Sequence, residues 1–190
     1  MPISYVKELI SYSKANPGKL NHGFTGQGGI THMGTEMLKL MAGIDITHIP
    51  YKGTGPALTE IIGGQIQFLL GSIVSTLPHT RTGKLRAFAV TTLQRSSAVP
   101  ELPTIDESGL QGYELTQWFG LWAPARTPKA VLLKLNGEVR RVLLLPEVRD
   151  RLAREGLEPR HSTPEQFEAT ISTDIDKFKK VVRDARIKVE

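Results

Sequence analysis

Short segments with strand character alternate with helical spacings of apolar residues over the first half of the chain. The strand-like segments are residues 20–24, 44–49, 66–70 and 85–90. The first helices end at turn-forming residues, namely Asn16-Pro17-Gly18, Gly43 and Gly63-Gly64. Because strands that are joined by helical connections pair in parallel, with both faces of the sheet covered, we predict one complete four-stranded α/β lobe over residues 4–92.

Helical patterns dominate the second half. Residues 93–112 contain Pro and Ser and predict a hinge or crossover, and the aromatic segment 113–123 predicts one long strand. Three amphipathic helices follow, opened by Pro128, Pro146 and Pro164. Helices with wide apolar faces need a sheet or other helices to cover them. We therefore predict that residues 113–190 form the C-terminal part of another, helix-rich lobe.

Helical spacing also predicts which side chains face inward. In the first half, the methionines at 33, 37 and 41 form one helix face that we expect in the core. Two larger apolar faces lie in the second half, Val131-Leu135-Val139-Val142 and Phe167-Ile171-Ile175-Phe178-Val182. Because the chain offers few strands to cover them, we expect either a homodimer through the incomplete lobe or a partial lobe that stays mobile.

Charge is unevenly distributed along the chain. The net charge is +5, from 24 Lys and Arg against 19 Asp and Glu, and 9 of the cations but only 4 of the acids lie in residues 1–95. These cations are spread out, whereas a nucleic-acid groove needs clustered cations with interleaved aromatic residues. We therefore expect no nucleic-acid partner, and either a field that attracts small anions or an ordinary solvated surface.

Two absences in the sequence narrow the function further. There is no cysteine, which excludes thiolate catalysis, disulfides and cysteine-based zinc sites. The opening residues Met1 to Glu8 lack the apolar core of an export signal, so we expect none in the sequence as given. No stretch approaches the roughly 18 uninterrupted apolar residues that a membrane span needs.

A glycine-rich turn joins the first predicted strand to the next helix. Thr25, Gly26, Gly28, Gly29 and His32 lie in this turn. Glycines let the backbone approach a ligand, and the first amides of a helix are unpaired donors at the positive end of its dipole, so the turn suits an anion. It has neither the Gly-Lys-Ser/Thr ending of a nucleotide P-loop nor a ribose-binding acid about twenty residues on.

Two further turns follow the next strands. Tyr51 and Gly53 lie in the second turn, and Gly71 and Ser72 in the third. Parallel strands end at one edge of their sheet, where open α/β folds bind ligands, so we predict that the three turns form one ligand site.

Catalytic and metal-binding patterns are weak. His32 at a helix start is more often a capping or packing group than a base. His22, His48 and His79 show no i, i+4 pairing and no nearby acidic ligand, so we predict no metal site. Ser72 lacks a nucleophile-elbow context. We predict no catalytic residue and no cofactor.

The chain resembles a known receptor family in several ordered segments. They are Val6-Lys7-Glu8-Leu9-Ile10, Ala15-Asn16-Pro17-Gly18-Lys19-Leu20, His48-Ile49-Pro50-Tyr51-Lys52-Gly53, Gly83-Lys84-Leu85-Arg86-Ala87, Leu102-Pro103-Thr104-Ile105 and Gly120-Leu121-Trp122-Ala123-Pro124. This set, which runs nearly end to end, resembles the tripartite tricarboxylate transporter receptors, or Bug proteins.

The resemblance implies a fold, a location and partners. It implies a type II periplasmic-binding-protein fold with two α/β lobes, a periplasmic location, a small carboxylate ligand and membrane transporter subunits as partners. Family members are normally longer at the N-terminus, so it also implies that part of the first lobe is absent here. The family usually has Ser or Thr where Gly29 stands, and an acidic or small residue where Gly71 stands.

Two other classes of function stay open at this stage. The first is the effector-sensing domain of a transcriptional regulator, which uses a similar two-lobe fold but should show two balanced lobes. The second is a small phosphate- or nucleotide-using enzyme, for which the nearby ionisable groups are His32, Tyr51 and Lys52.

Overall fold

The computed structural model of the protein describes residues 3–187. This part of the chain contains seven helices and three strands, in the order α1 (Val6–Ala15), β1 (Asn21–Thr25), α2 (Ile30–Ala42), β2 (Thr47–Tyr51), α3 (Thr54–Ile62), β3 (Phe68–Leu69), α4 (Ile73–Arg81), α5 (Lys129–Leu143), α6 (Pro146–Arg154) and α7 (Pro164–Asp184). None of these helices combines the length and hydropathy that crossing a bilayer requires.

The three strands form one parallel sheet in the order β2-β1-β3. The longer ladder runs from the pair Asn21 and Thr47 to the pair Thr25 and Tyr51, and β3 pairs only with His22 and Gly23. Because all three strands point the same way, the loops that follow them open at the same edge.

The prediction of a fourth strand at residues 85–90 is wrong. In the part of the chain that the structure describes, this segment forms only an isolated bridge between Val90 and Thr104. Its start is held in a turn, because the amides of Lys84 and Leu85 both donate to the carbonyl of His79. A fourth strand would pair beyond β3, which is two residues long and offers almost no ladder.

The long strand predicted for residues 113–123 is also absent from the described structure. Its first residues are anchored, because the fully buried Tyr113 donates its hydroxyl to the carbonyl of Gly34 at 3.1 Å and the amide of Leu115 donates to Thr91. The later part finds no strand to pair with, and Phe119 and Leu121 are 77% and 78% exposed.

The main core joins the first half of the chain to the last helix. It contains Met33 and Met37, as predicted, whereas Met41 is 40% exposed. Val181 of α7 belongs to the same core, and Phe178 packs against it. The C-terminal end of α7 therefore stabilises the lobe that is built from the first half of the sequence.

The remaining apolar helix faces are poorly covered. No residue of α5 is buried, and its Val131 and Leu135 are exposed. The N-terminus of α7, by contrast, is capped, since the side chains and amides of Thr163 and Gln166 are reciprocally hydrogen bonded.

A buried polar network fastens α2 to the sheet. His22 of β1 is fully buried, with Nε2 at 3.0 Å from the hydroxyl of Thr35 and Nδ1 at 3.3 Å from Nδ1 of His48. The Nε2 of His48 lies 2.6 Å from a carboxylate oxygen of Glu36, which also accepts from Lys39 at 3.0 Å. No buried side-chain nitrogen or oxygen of the described residues lacks a hydrogen-bond partner.

Burial and pairing set the charges in this network. Burial, reinforced by the neighbouring His48, lowers the pKa of His22 to about 3, so His22 is neutral at pH 7. Burial alone would raise the pKa of Glu36, but the hydrogen bonds from His48 and Lys39 outweigh it and lower that pKa to about 2. The folded state thus contains a neutral His22 and an ionised Glu36.

We expect the free energy of unfolding to fall as the pH falls through the range from 6.5 to about 3. An unfolded His22 binds a proton near pH 6.5 that the folded protein excludes until the pH reaches about 3. This difference corresponds to a loss of up to about 5 kcal/mol. Protonation of Glu36 adds to the loss below pH 4.5, because its folded pKa is depressed.

Urea unfolding at pH 7, 5 and 4 measures this dependence. His22→Gln retains a polar group without the titration, so its stability should fall less steeply below pH 6.5, although it starts lower. The exposed His161 provides the control, because His161→Gln should keep the wild-type slope. Equal slopes for wild type and His22→Gln would contradict a buried neutral His22.

Candidate ligand-binding site

The structure brings the three predicted turns to one edge of the sheet. Thr25 and Tyr51 are register partners at the ends of β1 and β2, and Gly71 follows β3. Each turn leads at once into a helix, whose N-cap residues are Gly29 for α2, Gly53 for α3 and Ser72 for α4. All nine predicted site residues lie in or beside these turns.

The turn between β1 and α2 has a conformation that requires glycine. Gly26 and Gly28 have positive φ angles of 75° and 72°. The amide of Gly29 donates to the carbonyl of Gly26 at 3.0 Å. A Cβ atom at Gly29 would lie 2.9 Å from the carbonyl oxygen of Thr25 and 3.0 Å from that of Gly26, so a side chain there displaces the backbone.

Some amides of this turn are bound within the protein. The amide of Gly28 donates to Nδ1 of His32 at 3.1 Å, and that of Thr25 makes a long contact of 3.5 Å with the hydroxyl of Thr31. Four further amides of this turn and helix start have no acceptor among the described residues, namely those of Gly26, Gln27, Ile30 and Thr31. Ile30 and Thr31 begin α2, at the positive end of its dipole.

The other two turns present helix starts of the same kind. Neither Gly53, with φ 107°, nor Ser72 caps its helix with a side-chain hydrogen bond. The hydroxyl of Ser72 lies instead 3.0 Å from that of Ser75. A Cβ atom at Gly71 would lie 2.5 Å from a methyl group of Thr76, which explains why this position is glycine. Three uncapped helix N-termini therefore meet at one edge, an arrangement that favours anions.

His32 lies beneath the turn rather than on its open side. Its side chain is buried, its ring stacks on Phe24 with centroids 4.8 Å apart, and the ring of His48 stands edge-on at 5.0 Å. Burial, followed by the proximity of His48, lowers the pKa of His32 below its usual value. A neutral ring can accept the Gly28 amide, so His32 supports the turn.

Sequence reasoning missed a cluster of potential metal ligands. Ligand atoms of His32, Glu36 and His48 lie within 4.8 Å of one another. The signal was present, since His32 and Glu36 are four residues apart, but the third member comes from the neighbouring strand. The ammonium of Lys39 and Nε2 of His48 already share one oxygen of Glu36, and Nδ1 of His32 accepts from Gly28. Protein groups alone thus account for this cluster.

Part of this edge borders a cavity of about 1880 Å³, and of the nine predicted site residues only Gly71 and Ser72 line it. Thr31, Gly71 and Ser72 line it on one side, and Trp118 and Trp122 on another. Both indole rings contact Phe167 of α7, with centroids 5.0 and 5.4 Å apart. The cavity exceeds the roughly 300–1,000 Å³ of a small-molecule pocket, so it is a groove rather than a closed site.

Arg160 also lines this cavity and was not singled out from the sequence. It lies between α6 and α7, in a segment without a glycine-rich turn or any other local motif. A cation in the wall of the groove has the charge that complements a carboxylate.

Comparison with known proteins identifies the family. The model of the tripartite tricarboxylate transporter family receptor matches residues 1–187. Protein BugT of Bordetella pertussis is 32% identical over 182 residues, which are 96% of this chain and 56% of that protein. The chain spans about half the length of the first curated relatives that it matches.

Solved structures agree with this match. The structure of R. palustris Rpa4515 with adipate is 33% identical, with a TM-score of 0.91 over 98% of this chain and 62% of that one. MatC (Rpa3494) from Rhodopseudomonas palustris with bound malate is 34% identical, with a TM-score of 0.81 over 95% of this chain and 63% of that one. The fold is therefore of the periplasmic-binding-protein type, as the sequence predicted. On the family match over nearly its whole length, the chain belongs to the tripartite tricarboxylate transporter receptor family.

Proposed function

We propose that this chain forms one wall of an extracytoplasmic receptor site for small carboxylates, which are passed to the membrane subunits of a tripartite transporter. The observation that carries the proposal is the meeting of three uncapped helix N-termini at one sheet edge. Unpaired amides at helix starts favour negative charge. The excess positive charge of residues 1–95 supports the same ligand class.

The relatives support the choice of carboxylates. Two similar structures contain adipate and malate, which are both dicarboxylates. In our proposal the ligand contacts backbone donors of the turn from Thr25 to Gly29, with Tyr51, Gly53, Gly71 and Ser72 on the other turns and His32 as a support. Gly29 and Gly71 contribute no side-chain contact, so backbone donors dominate recognition.

The proposal contains no catalytic step, cofactor or metal. The family is one of receptors, and it does not favour the regulator or enzyme alternatives. We propose the division into a ligand-binding lobe at 4–92, a crossover at 93–112 and the C-terminal part of the other lobe at 113–190. A periplasmic location also follows from the family and belongs to the proposal.

We expect adipate and malate to shift the amide resonances of Gly26, Gln27, Ile30 and Thr31 in the ¹⁵N-labelled protein. The dissociation constant should be about 1 mM or weaker, because one wall supplies only part of the hydrogen bonds of a closed cleft, each worth roughly 0.5–3 kcal/mol. Gly29→Ala should weaken binding at least about tenfold, since its Cβ displaces the turn.

Gly137→Ala in α5 is the matched control, because a Cβ atom there meets nothing within 4 Å, the φ angle is not positive, and the residue lies outside the three turns. This variant should bind as the wild type does. Shifts confined to other parts of the protein, or submicromolar binding by the monomer, would show that the site is elsewhere.

We further propose that the chain associates into a two-fold homodimer through the apolar residues of its second half. Phe119, Leu121 and Trp122 are between 71% and 78% exposed, and Val131 and Leu135 of α5 are also exposed. Burying such surface is worth roughly 25 cal/mol per Å², and large apolar patches are rare on stable monomers.

Sedimentation velocity at micromolar concentration tests this association. We expect a dimer for the wild type and a shift to monomer for Leu121→Ser combined with Trp122→Ser. The control Leu40→Ser changes an exposed apolar residue on α2 and should leave the dimer intact. A wild-type monomer at all concentrations would overturn the proposal.

A further inference from the structure

A single side chain connects the glycine-rich turn to the buried interior. His32 is 6% exposed, yet its Nδ1 accepts the amide of Gly28, an exposed residue of the turn, at 3.1 Å. A ring nitrogen accepts a hydrogen bond only when it carries no proton. The bond therefore requires neutral His32 with its proton on Nε2.

The ring of His32 is held in this orientation from two sides. Phe24 stacks on it with an interplanar angle of 27°, and His48 stands against it at 88°. His48 is fixed in turn by Glu36 at 2.6 Å and by His22 at 3.3 Å. The acceptor that meets the Gly28 amide is thus positioned by β1, β2 and α2 together.

The turn has few other constraints of comparable strength. The amide of Gly29 closes a tight turn onto Gly26, and the contact from Thr25 to Thr31 is long at 3.5 Å. Gly28 itself has φ 72°, a conformation that glycine enters and leaves freely. Without the bond to His32, the turn keeps its sequence but loses its principal side-chain contact with the interior.

We propose that His32 is the positioning residue of the carboxylate site, and that loss of its hydrogen bond to Gly28 frees the turn and weakens ligand binding. This inference rests on the proposed function for its second part only. Its first part, that neutral His32 fixes the turn, concerns the free protein and can be tested without a ligand.

Two substitutions distinguish the role of His32 as a hydrogen-bond acceptor from the packing role of its ring. His32→Asn carries an oxygen at the same distance from the backbone as Nδ1, and this oxygen does not titrate. His32→Phe keeps a ring to stack on Phe24 and has no acceptor. A residue that is needed only for packing tolerates Phe better than Asn, whereas a residue that is needed to hold Gly28 shows the opposite order.

Hydrogen exchange of the Gly28 amide measures the positioning directly. At pH 7 we expect exchange at least about tenfold faster in His32→Phe than in the wild type, and within about threefold of the wild type in His32→Asn. Thermal unfolding followed by circular dichroism confirms that each variant is folded. Equal Gly28 protection in all three proteins would overturn the inference.

Titration with adipate then tests the link to binding. At pH 7, adipate should still shift the amide resonances of Gly26 and Gln27 in His32→Asn. In His32→Phe, the apparent affinity derived from these shifts should be at least about tenfold lower than in the wild type. If none of the three proteins binds adipate while their Gly28 exchange rates differ as expected, the proposed function fails and the positioning role of His32 stands. If His32→Phe binds as the wild type does, the role of His32 in the site is overturned.

Discussion

The need to pair every buried polar group of α2 determines how this helix sits on the sheet. Residues 32–38 are all buried, and they include Thr35 and Glu36 as well as His32. A buried polar group without a hydrogen-bond partner costs about 1–3 kcal/mol. A shift of α2 by one residue would separate Thr35 from His22 and Glu36 from His48. The network therefore fixes the position of the helix N-terminus, and with it the glycine-rich turn.

The proposed ligand site combines a rigid base with an open front. The base is the hydrogen-bonded group under the turn, which contains no unsatisfied buried side chain within the described residues. The front consists of backbone amides at three helix starts, which present donors without side-chain specificity. Main-chain donors recognise a carboxylate group whatever carbon skeleton carries it. The cavity that the starts of α2 and α4 border is too large to fix that skeleton by itself.

The sequence predicted the features that depend on neighbouring residues, but it did not predict those that depend on contacts between distant segments. Glycines marked the end of α2 and the turn at Thr25 to Gly29, because a backbone conformation belongs to a few neighbouring residues. The strands predicted at 85–90 and 113–123 are wrong because a strand exists only with a partner, and β3 is too short to provide one. The cluster of His32, Glu36 and His48 was missed because the register of β2 against β1 brings its third member into place.

Residues from the second half of the chain pack against α2, so this helix takes part in both the proposed site and the core. Its start carries the turn of the proposed ligand site, while the carbonyl of Gly34 accepts the hydrogen bond of the buried Tyr113 hydroxyl. Gly34 has no room for a side chain, since a Cβ atom there would lie 2.3 Å from a methyl group of Leu115. Val181 of α7 enters the same core. Because α2 bears both the turn of the proposed site and the packing of Tyr113, Leu115 and the end of α7, a change in that packing alters the backbone that holds the turn. The position of the site is therefore a property of the whole core rather than of the glycine-rich motif alone.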